Sequence, residues 1–411
     1  MATALKREMR VLYLTFDGLL QPIGYSQVAR LVTGLADRGF QYRVVSLERP
    51  GDLARADELR RVEEDLLSRG VEWSRVPYDT SQSSRAAATN VGRAVKAMLA
   101  AQRGADLVHA RSYHARGVSL STRLPVVFDT RAYWFDERRE QGRWFSRDAV
   151  FAAARRLERR MYARASGLVT LTALSARDIR RGERGPVPTN VPIEVIPTVV
   201  DFDHFHPDRR AAGRRRIAEA LGEPVEGPVL GFVGSVNSWY RVEESIEVFR
   251  RAWLRNPKCR FIGLSAEHGL LDAKLAEAGV PPSARRCLRA DHRDMPEWVA
   301  GLDWGLLLLT TSIAKRASMP TKLGEFLAAG VRPIHSGCNA EVGEWIRRTG
   351  SGLSFDELTS EALDQAAEVV AGDARDERER LVARARARSH FSLSSGLDRY
   401  ASLLQRAARC G

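Results

Sequence analysis

In Ser318-Met319-Pro320-Thr321-Lys322-Leu323-Gly324-Glu325 a cation and a carboxylate stand three residues apart at the start of a helix that runs to Gly330. Pro320 suits the first turn of that helix and Gly330 its end. A helix N-terminus beside an ammonium attracts phosphate, so Lys322 and the amides around Thr321 form a candidate anion site. Glu325, one turn further in, is placed to bond both hydroxyls of a ribose. The same spacing also fits a surface ion pair between Lys322 and Glu325.

Two glycine loops offer related chemistry. The first apolar run is followed by Asp17-Gly18-Leu19-Leu20-Gln21-Pro22-Ile23-Gly24-Tyr25-Ser26, and then by a helix. Strand, glycine loop and helix start together present free backbone N–H groups to an anion, although G-x-G-x-x-G is absent. Val229-Leu230-Gly231-Phe232-Val233-Gly234-Ser235 opens a second series in the same way. There Gly234 lets a ligand approach the backbone, and Arg241 either reaches a phosphate or is a solvated arginine at a helix start. Asp129-Thr130-Arg131, with Trp134, Asp136, Glu137 and Arg138 beyond it, reads as an acceptor wall or as a structural ion-pair cluster.

The elements that must position these groups alternate short apolar runs with helical segments, the rhythm of parallel α/β structure. Expected strands are Val11–Phe16, Arg43–Leu47, Val71–Val76, Asp106–Ala110, Pro125–Asp129, Gly167–Leu171 and Ile193–Ile196. A helix is expected from Ser26 to Asp37, stopped by Gly39. The rhythm breaks over Gly182–Pro192 and the polar, arginine-rich run Asp208–Glu226. It resumes with Val229–Val233, Arg260–Leu264, Asp303–Leu309, Arg332–His335 and Gly352–Phe355. Two such series predict two doubly wound domains facing across a cleft. Beyond a charged stretch from Arg375 to Arg388, Phe391 to Ala407 predicts an amphipathic helix.

A length of 411 residues, 44% hydrophobic and 28% charged, suits a two-domain globular chain and argues against disorder. Lys6, Arg7 and Arg10 precede an apolar run too short for a signal core, and no run is long enough to span a bilayer. A cytoplasmic setting is therefore expected. Cys259, Cys287, Cys338 and Cys410 are widely spaced, which predicts reduced thiols rather than a zinc site. The net charge of +13 is uneven: residues 1–200 carry 33 Lys+Arg against 22 Asp+Glu, and the remainder 31 against 29. Arg155, Arg156, Arg159, Arg160 and Arg164, beside Leu157, Met161 and Tyr162, predict either a basic helix on an anionic membrane or a solvated arginine face.

The segment 318–334 resembles the nucleotide-sugar site of retaining glycosyltransferases of family 4, in the "S-x-P-x-K-x-x-E" version of their E-x7-E pattern. Glu325 matches the second glutamate, the ribose ligand, and Ala317 stands where the first would be. Ile196-Pro197-Thr198-Val199-Val200-Asp201-Phe202-Asp203-His204-Phe205-His206-Pro207 is similar to the linker "I-P-N-G-V-D-x-x-x-F-x-P". Ser235 and Arg241 occupy the places of the family's phosphate-binding arginine and lysine after Gly234. Asp106-Leu107-Val108-His109-Ala110-Arg111 looks like "D-V-V-H-A-H", with Arg111 replacing the second histidine. Gly24-Tyr25-Ser26-Gln27-Val28 and the closing Phe391…Tyr400 helix also match. Asp201-Phe202-Asp203, a metal signature in another fold, reads here as a turn and helix cap.

The resemblance implies the GT-B fold, with an acceptor-binding domain over 1–198 plus 390–411 and a donor domain over 199–389. The last helix is expected to cross back to the first domain, and hinges are expected near residue 200 and before Phe391. Motifs and resemblance together assign His109, Arg241 and Lys322 to catalysis. Gly24, Gly234, Ser235, Ser318, Thr321, Lys322 and Glu325 are assigned to the donor, and Tyr25, Arg111 and Arg131 to the acceptor side. The resemblance implies front-face attack with retention, the departing diphosphate taking the acceptor's proton, with no metal and no cofactor. Expected partners are a UDP- or GDP-type sugar donor, a sugar or lipid-linked acceptor and an anionic membrane surface, but no nucleic acid. Alternatives are a catalytically inactive partner subunit, a natural-product glycosyltransferase, a nucleotide-sugar 2-epimerase and a nucleic-acid binder.

Overall fold

The computed structural model describes residues 9–81, 83–142, 147–236, 239–291, 293–337, 339–372 and 377–409. Lys6, Arg7, Asn237, Cys338, Arg375 and Cys410 lie outside the described residues. The chain forms two compact units, Met1–Pro197 with Gly396–Gly411, and Thr198–Ser395.

The first unit is built on a seven-stranded sheet: β1 (Met9–Thr15), β2 (Phe40–Glu48), β3 (Glu72–Pro77), β4 (Leu107–Arg111), β5 (Val126–Asp129), β6 (Gly167–Thr170) and β7 (Ile193–Val195). Its order is β3-β2-β1-β4-β5-β6-β7, with every pairing parallel. The order reverses between β1 and β4, which makes their carboxyl ends the topological switch point where ligands of open α/β sheets lie. Leu12, Leu14, Val45, Val108 and Ala110 pack with Met98 and Val118 on one face of the sheet, and Phe128 and Leu168, in register with Ala110, continue that face against Tyr113, Met161 and Tyr162. The opposite face, at Val127 and Gly167, meets Leu403 and Ala407. Covering on both faces explains the apolar runs without polar alternation.

The closing helix, Leu393–Ala407, belongs to this unit from Gly396 onward. Leu397 fills the place of the absent side chain at Gly34, and Leu403 and Ala407 lie against Gly167. The expected helix after β1 begins earlier than the apolar periodicity suggested. A turn at Pro22–Gly24 leads through a π-helical segment, Tyr25–Ala29, into Arg30–Ala36. Gly39, at φ 86°, ends it in the left-handed region that a Cβ disfavours.

The second unit carries β8 (Val229–Val233), β9 (Arg260–Leu264), β10 (Arg285–Leu288), β11 (Trp304–Leu308), β12 (Arg332–Ser336) and β13 (Leu353–Phe355). These run in the order β10-β9-β8-β11-β12-β13, all parallel, with the switch point between β8 and β11. The helix Val242–Arg255 buries Val242, Ile246 and Phe249 along one stripe against this sheet.

Four features depart from expectation. β10 was not foreseen, because Arg285-Arg286-Cys287-Leu288 is charged; it is an edge strand, where charge is tolerated. The polar run at 208–226 is not an open linker but contains the helix Arg210–Leu221. Asp303, wholly buried at the start of β11, organises it: Arg210 donates to Oδ1 at 2.6 Å, Arg380 at 2.7 Å, and Arg214 to Oδ2. Burial pushes the Asp303 carboxyl up, but Arg214, Arg210 and Arg380 outweigh it and hold it well below the usual range. Likewise the charged stretch before the last helix is itself helical, Glu377–Phe391, and supplies Arg380. At Asp201-Phe202-Asp203 the turn is present, with the amides of Asp203 and His204 donating to Asp201 Oδ1. The helix cap falls instead at His206.

Candidate active site

In the second unit the helix Thr321–Ala328 begins just beyond the carboxyl end of β11. Pro320 is extended and caps the helix rather than entering its first turn. Lys322 Nζ donates to Glu325 Oε2 at 2.6 Å, so cation and carboxylate form one pair on the helix surface. Glu325 is buried and Lys322 half-buried. The strand-like segment before the helix is fixed by Thr198, whose hydroxyl donates to Met319 O at 2.7 Å, and by Asn339, whose amide donates to Ser318 O. Ser318 Oγ turns back onto Lys315 O, and Thr321 is half-buried at the helix start. Ala317, at the place of the family's first glutamate, is a buried methyl.

The loop after β8 approaches the same edge. A Cβ at Gly234 would lie 2.7 Å from the Tyr240 ring, so this glycine makes room for a tyrosine. Tyr240 pairs with Leu309 beyond β11, and burial, with Glu325 adding to it, pushes its hydroxyl up to about 12. Gly234, Tyr240 and Glu325 are thus neighbours, and Tyr240 is a residue that the motif search missed. Lys315 Nζ sits 4.3 Å over the Trp239 ring beside them.

Ser235 points elsewhere: its hydroxyl donates to Glu267 Oε1 at 3.3 Å, and Ser265 donates to Oε2 at 3.0 Å. Where the family pattern has an arginine, this chain therefore sets a hydroxyl held by a carboxylate. Arg241 caps the helix Val242–Arg255, and its guanidinium pairs with Glu244 of the same first turn. Its amide donates to Leu308 O at 2.9 Å, which keeps it at the switch point.

The first unit assembles its polar residues at the β1–β4 switch point. Arg111 Nε donates to Asp17 Oδ2 at 2.8 Å, joining the two strand ends. Arg111 Nη1 lies 3.8 Å from Asp129 Oδ2, Arg131 Nη1 3.5 Å, and the Tyr400 hydroxyl donates to that oxygen at 3.1 Å. Burial works against the Arg111 charge, but Tyr13, Asp17 and Asp129 outweigh it and hold the guanidinium protonated. Arg131 has φ 59° and Ser112 φ 68°, two non-glycine residues in the left-handed region just past β5 and β4. Strain of this kind persists only where surrounding contacts enforce it, and it clusters at functional sites.

His109 requires a correction. Its ring is wholly buried under Tyr13, 4.6 Å away, and Tyr400, 5.5 Å away, so it lies beneath the polar cluster rather than at a surface a substrate could touch. Burial pulls it down to about 4, which keeps it neutral. Its Nε2 is 3.9 Å from Asp129 Oδ2, too far for a hydrogen bond, so the ring contributes packing between Tyr13 and Tyr400.

Gly24 is also explained by close approach: a Cβ there would fall 1.9 Å from Gly18 O. The loop between them is fixed by the buried Glu48, which accepts from Leu19 N at 3.0 Å and Ser46 Oγ at 2.6 Å. Nothing in the loop itself signalled Glu48, which lies on the next strand. Tyr25 follows, half-buried, as the first residue of the π-helical segment. Of the polar group at 129–138, Asp129 is an ion-pair residue, as is Asp136, which pairs with Arg184. Trp134 forms instead a half-buried aromatic set with His114 at 4.3 Å, and His114 stacks on Phe16. Met161 and Tyr162 are buried in the core, so the helix Asp148–Ala163 exposes arginines with Leu157 as its apolar companion.

Two parallel, doubly wound units of this order have the architecture of GT-B glycosyltransferases. The whole chain superimposes on sucrose-phosphate synthase from Thermosynechococcus elongatus with a TM-score of 0.73 at 14% identity, covering 98% of this chain and 100% of that one. HepE from Anabaena, solved with UDP and glucose, gives 0.66 at 16% identity over 97% of this chain and 100% of that one. At such identities the likeness defines the fold.

The sequence profile of the glycosyl transferase 4-like domain matches residues 26–198. TuaH of Bacillus subtilis, which bears the name of a teichuronic acid biosynthesis glycosyltransferase, is 25% identical over 142 residues. That match spans about a third of each chain, 34% of this one and 33% of TuaH.

Proposed function

We propose that the chain is a glycosyltransferase that moves a sugar, with retention, from a UDP- or GDP-type donor to a hydroxyl acceptor in polysaccharide or lipid-linked glycan assembly. The observation that carries this reading is the Lys322–Glu325 pair on a helix opening at the carboxyl edge of the second sheet, beside Gly234 and Tyr240. A nucleoside diphosphate fits that edge: phosphate at the helix start and Lys322, ribose at Glu325. The solved neighbour HepE holds UDP, which supports a nucleotide-sugar donor.

In this reading the departing diphosphate is stabilised by Lys322 and the helix amides, with Arg241 released from Glu244 to join them. The reaction then needs neither a metal nor a cofactor. Arg111, Arg131 and Tyr25 border the acceptor, oriented through Asp17 and Asp129. The acceptor would be presented at an anionic membrane through Arg156, Arg159 and Arg160, exposed on one helix, by charge rather than by apolar insertion. A cytoplasmic location follows from that reading; among the described residues no helix is long and apolar enough to cross a membrane.

A second reading, a GT-B subunit without turnover, is favoured by Glu267 holding Ser235 in the place of a phosphate-binding arginine. A thermal-shift panel of UDP, GDP, ADP and their sugar conjugates on wild type and Lys322→Ala separates the two. Stabilisation by one nucleotide series, lost in the variant, supports the transferase. No stabilisation by any of them removes the donor site and leaves the inactive subunit.

A further inference from the structure

At the opposite edge of the first sheet, where the chain enters β5 and β6, lies a pocket of about 290 Å3 with an unusual charge balance. It is lined by Arg116, Arg123 and Arg164 together with the hydroxyl residues Ser119, Thr122 and Ser166. Arg116 is 1% exposed, among the largest fully buried side chains of the protein. Its Nε donates to Met161 O at 3.0 Å and Nη1 to Ser119 Oγ at 3.0 Å, while Nη2 has no hydrogen-bond partner among the described residues. Among the described residues no carboxylate pairs with Arg116, Arg123 or Arg164. Arg164 donates to Leu120 O at 3.1 Å, which holds it at the rim.

A buried guanidinium without a counter-charge is costly, and buried arginines are ordinarily paired. The contrast within this unit is plain. Arg184, similarly buried, has both Asp136 and Glu158, and Arg111 has Asp17. Among the described residues nothing answers Nη2, and an acceptor supplied from outside would both satisfy it and offset the three cations. Burial and the neighbouring Arg164 pull Arg116 down to about 10, the direction expected for a cation lacking an anion.

We propose that this pocket is a binding site for a phosphate group, carried by a phosphomonoester or phosphodiester ligand, with Arg116 at its floor and Arg123 and Arg164 at its rim. Guanidinium groups match phosphate geometry with paired N–H donors. The Ser166 hydroxyl, which accepts from Val126 N, supplies a further donor, while those of Ser119 and Thr122 already donate to Arg116 O and Gln102 Oε1. The volume is at the lower end of the ~300–1,000 Å3 of small-molecule pockets, room for a phosphate and a small organic portion. The site lies at the amino ends of β5 and β6, away from the carboxyl edge that holds Asp17, Arg111 and Arg131. The exposed arginines 156, 159 and 160 lie on the helix that leads into Arg164, so the phosphate could be a lipid headgroup or a soluble ester.

The experiment compares wild type with the rim variant Arg123→Ala/Arg164→Ala, which leaves the buried Arg116 and its helix contact in place. Inorganic phosphate and glycerol 3-phosphate are titrated by calorimetry against chloride at equal ionic strength, and phosphatidylglycerol vesicles are compared with phosphatidylcholine vesicles by flotation. Expected is binding that the rim variant weakens about tenfold or more, as the loss of two charge-assisted donors demands. Binding of the free esters identifies a soluble ligand; retention on phosphatidylglycerol vesicles alone identifies a headgroup. No phosphate or vesicle binding above the controls, or equal binding by the rim variant, overturns the proposal and leaves Arg116 as a cap for the helix ending at Ala163. Nucleotide stabilisation through Lys322, measured on the same variant, is expected to be unchanged, so the two sites fail or stand separately.

Discussion

Arg111 and Asp17, 94 residues apart in sequence, close the ends of β4 and β1 with a 2.8 Å hydrogen bond at the point where the strand order of the first sheet reverses. The bond places a permanently charged group where the related pattern has a histidine. It also supplies the counter-charge that lets Asp129 sit wholly buried beneath it. Removing the guanidinium leaves Asp129 buried with Arg131 as its remaining cation, while Asp17 loses its partner at a partly solvated position. Arg111→Ala is therefore expected to cost about 3–5 kcal/mol, measured by urea denaturation. Arg111→Lys is expected to recover less than half, because a lysine cannot bridge both acids. A loss below 1 kcal/mol for the alanine variant would mean that the pair is not formed in solution.

Lys322→Ala separates binding from stability. The pair with Glu325 is partly solvated and local to one helix, so its loss is expected to change the unfolding free energy by less than about 1 kcal/mol. The affinity for a nucleoside diphosphate, read by calorimetry, is expected to fall by a factor of about 10 or more. Glu325→Gln is expected to weaken the nucleoside as well as the nucleotide, since in the proposed donor site it bonds the ribose. Equal affinities in all three proteins would dismiss this helix as the donor site.

Gly234 exists in this structure for Tyr240. Gly234→Ala puts a methyl 2.7 Å from the ring and is expected to cost about 1–3 kcal/mol. Pairing it with Tyr240→Ala removes the clash, so the double variant is expected to lose less than the sum of the single losses. Strict additivity in denaturation measurements would show that ring and glycine do not meet.

Asp303 ties Arg210, Arg214 and Arg380 to the start of β11. Asp303→Asn is expected to destabilise the second unit by about 3–5 kcal/mol, since three arginines lose their shared anion. The folded carboxyl titrates below its unfolded value, so its stabilisation is complete above about pH 4 and is lost as the pH falls further. Acid unfolding of the wild type should therefore steepen below pH 4, and the asparagine variant should lack that component. Higher up, His109, His114 and His335, each pulled down to about 4 by burial, stay neutral in the folded chain while the unfolded chain takes up protons. Stability should accordingly decline between pH 6.5 and 4, measured by denaturant midpoints across that range.

The sequence by itself determined the two series of parallel strands, because strands covered on both faces must be apolar throughout and that pattern is local. It also marked Lys322 and Glu325, since a helix start and a three-residue spacing are readable along one stretch of chain. β10 escaped because an edge strand tolerates Arg285 and Arg286, and the helix Arg210–Leu221 escaped because its anchor, Asp303, lies about 90 residues away. Only the tertiary structure decided that His109 is a buried support, that Glu267 holds Ser235, and that Gly24 and Gly234 serve Gly18 and Tyr240. Those facts depend on which strands become neighbours. Strand order brings β4 beside β1 and β9 beside β8, and burial then sets which charges must find partners. That same burial left Arg116 with a charge that no carboxylate among the described residues answers.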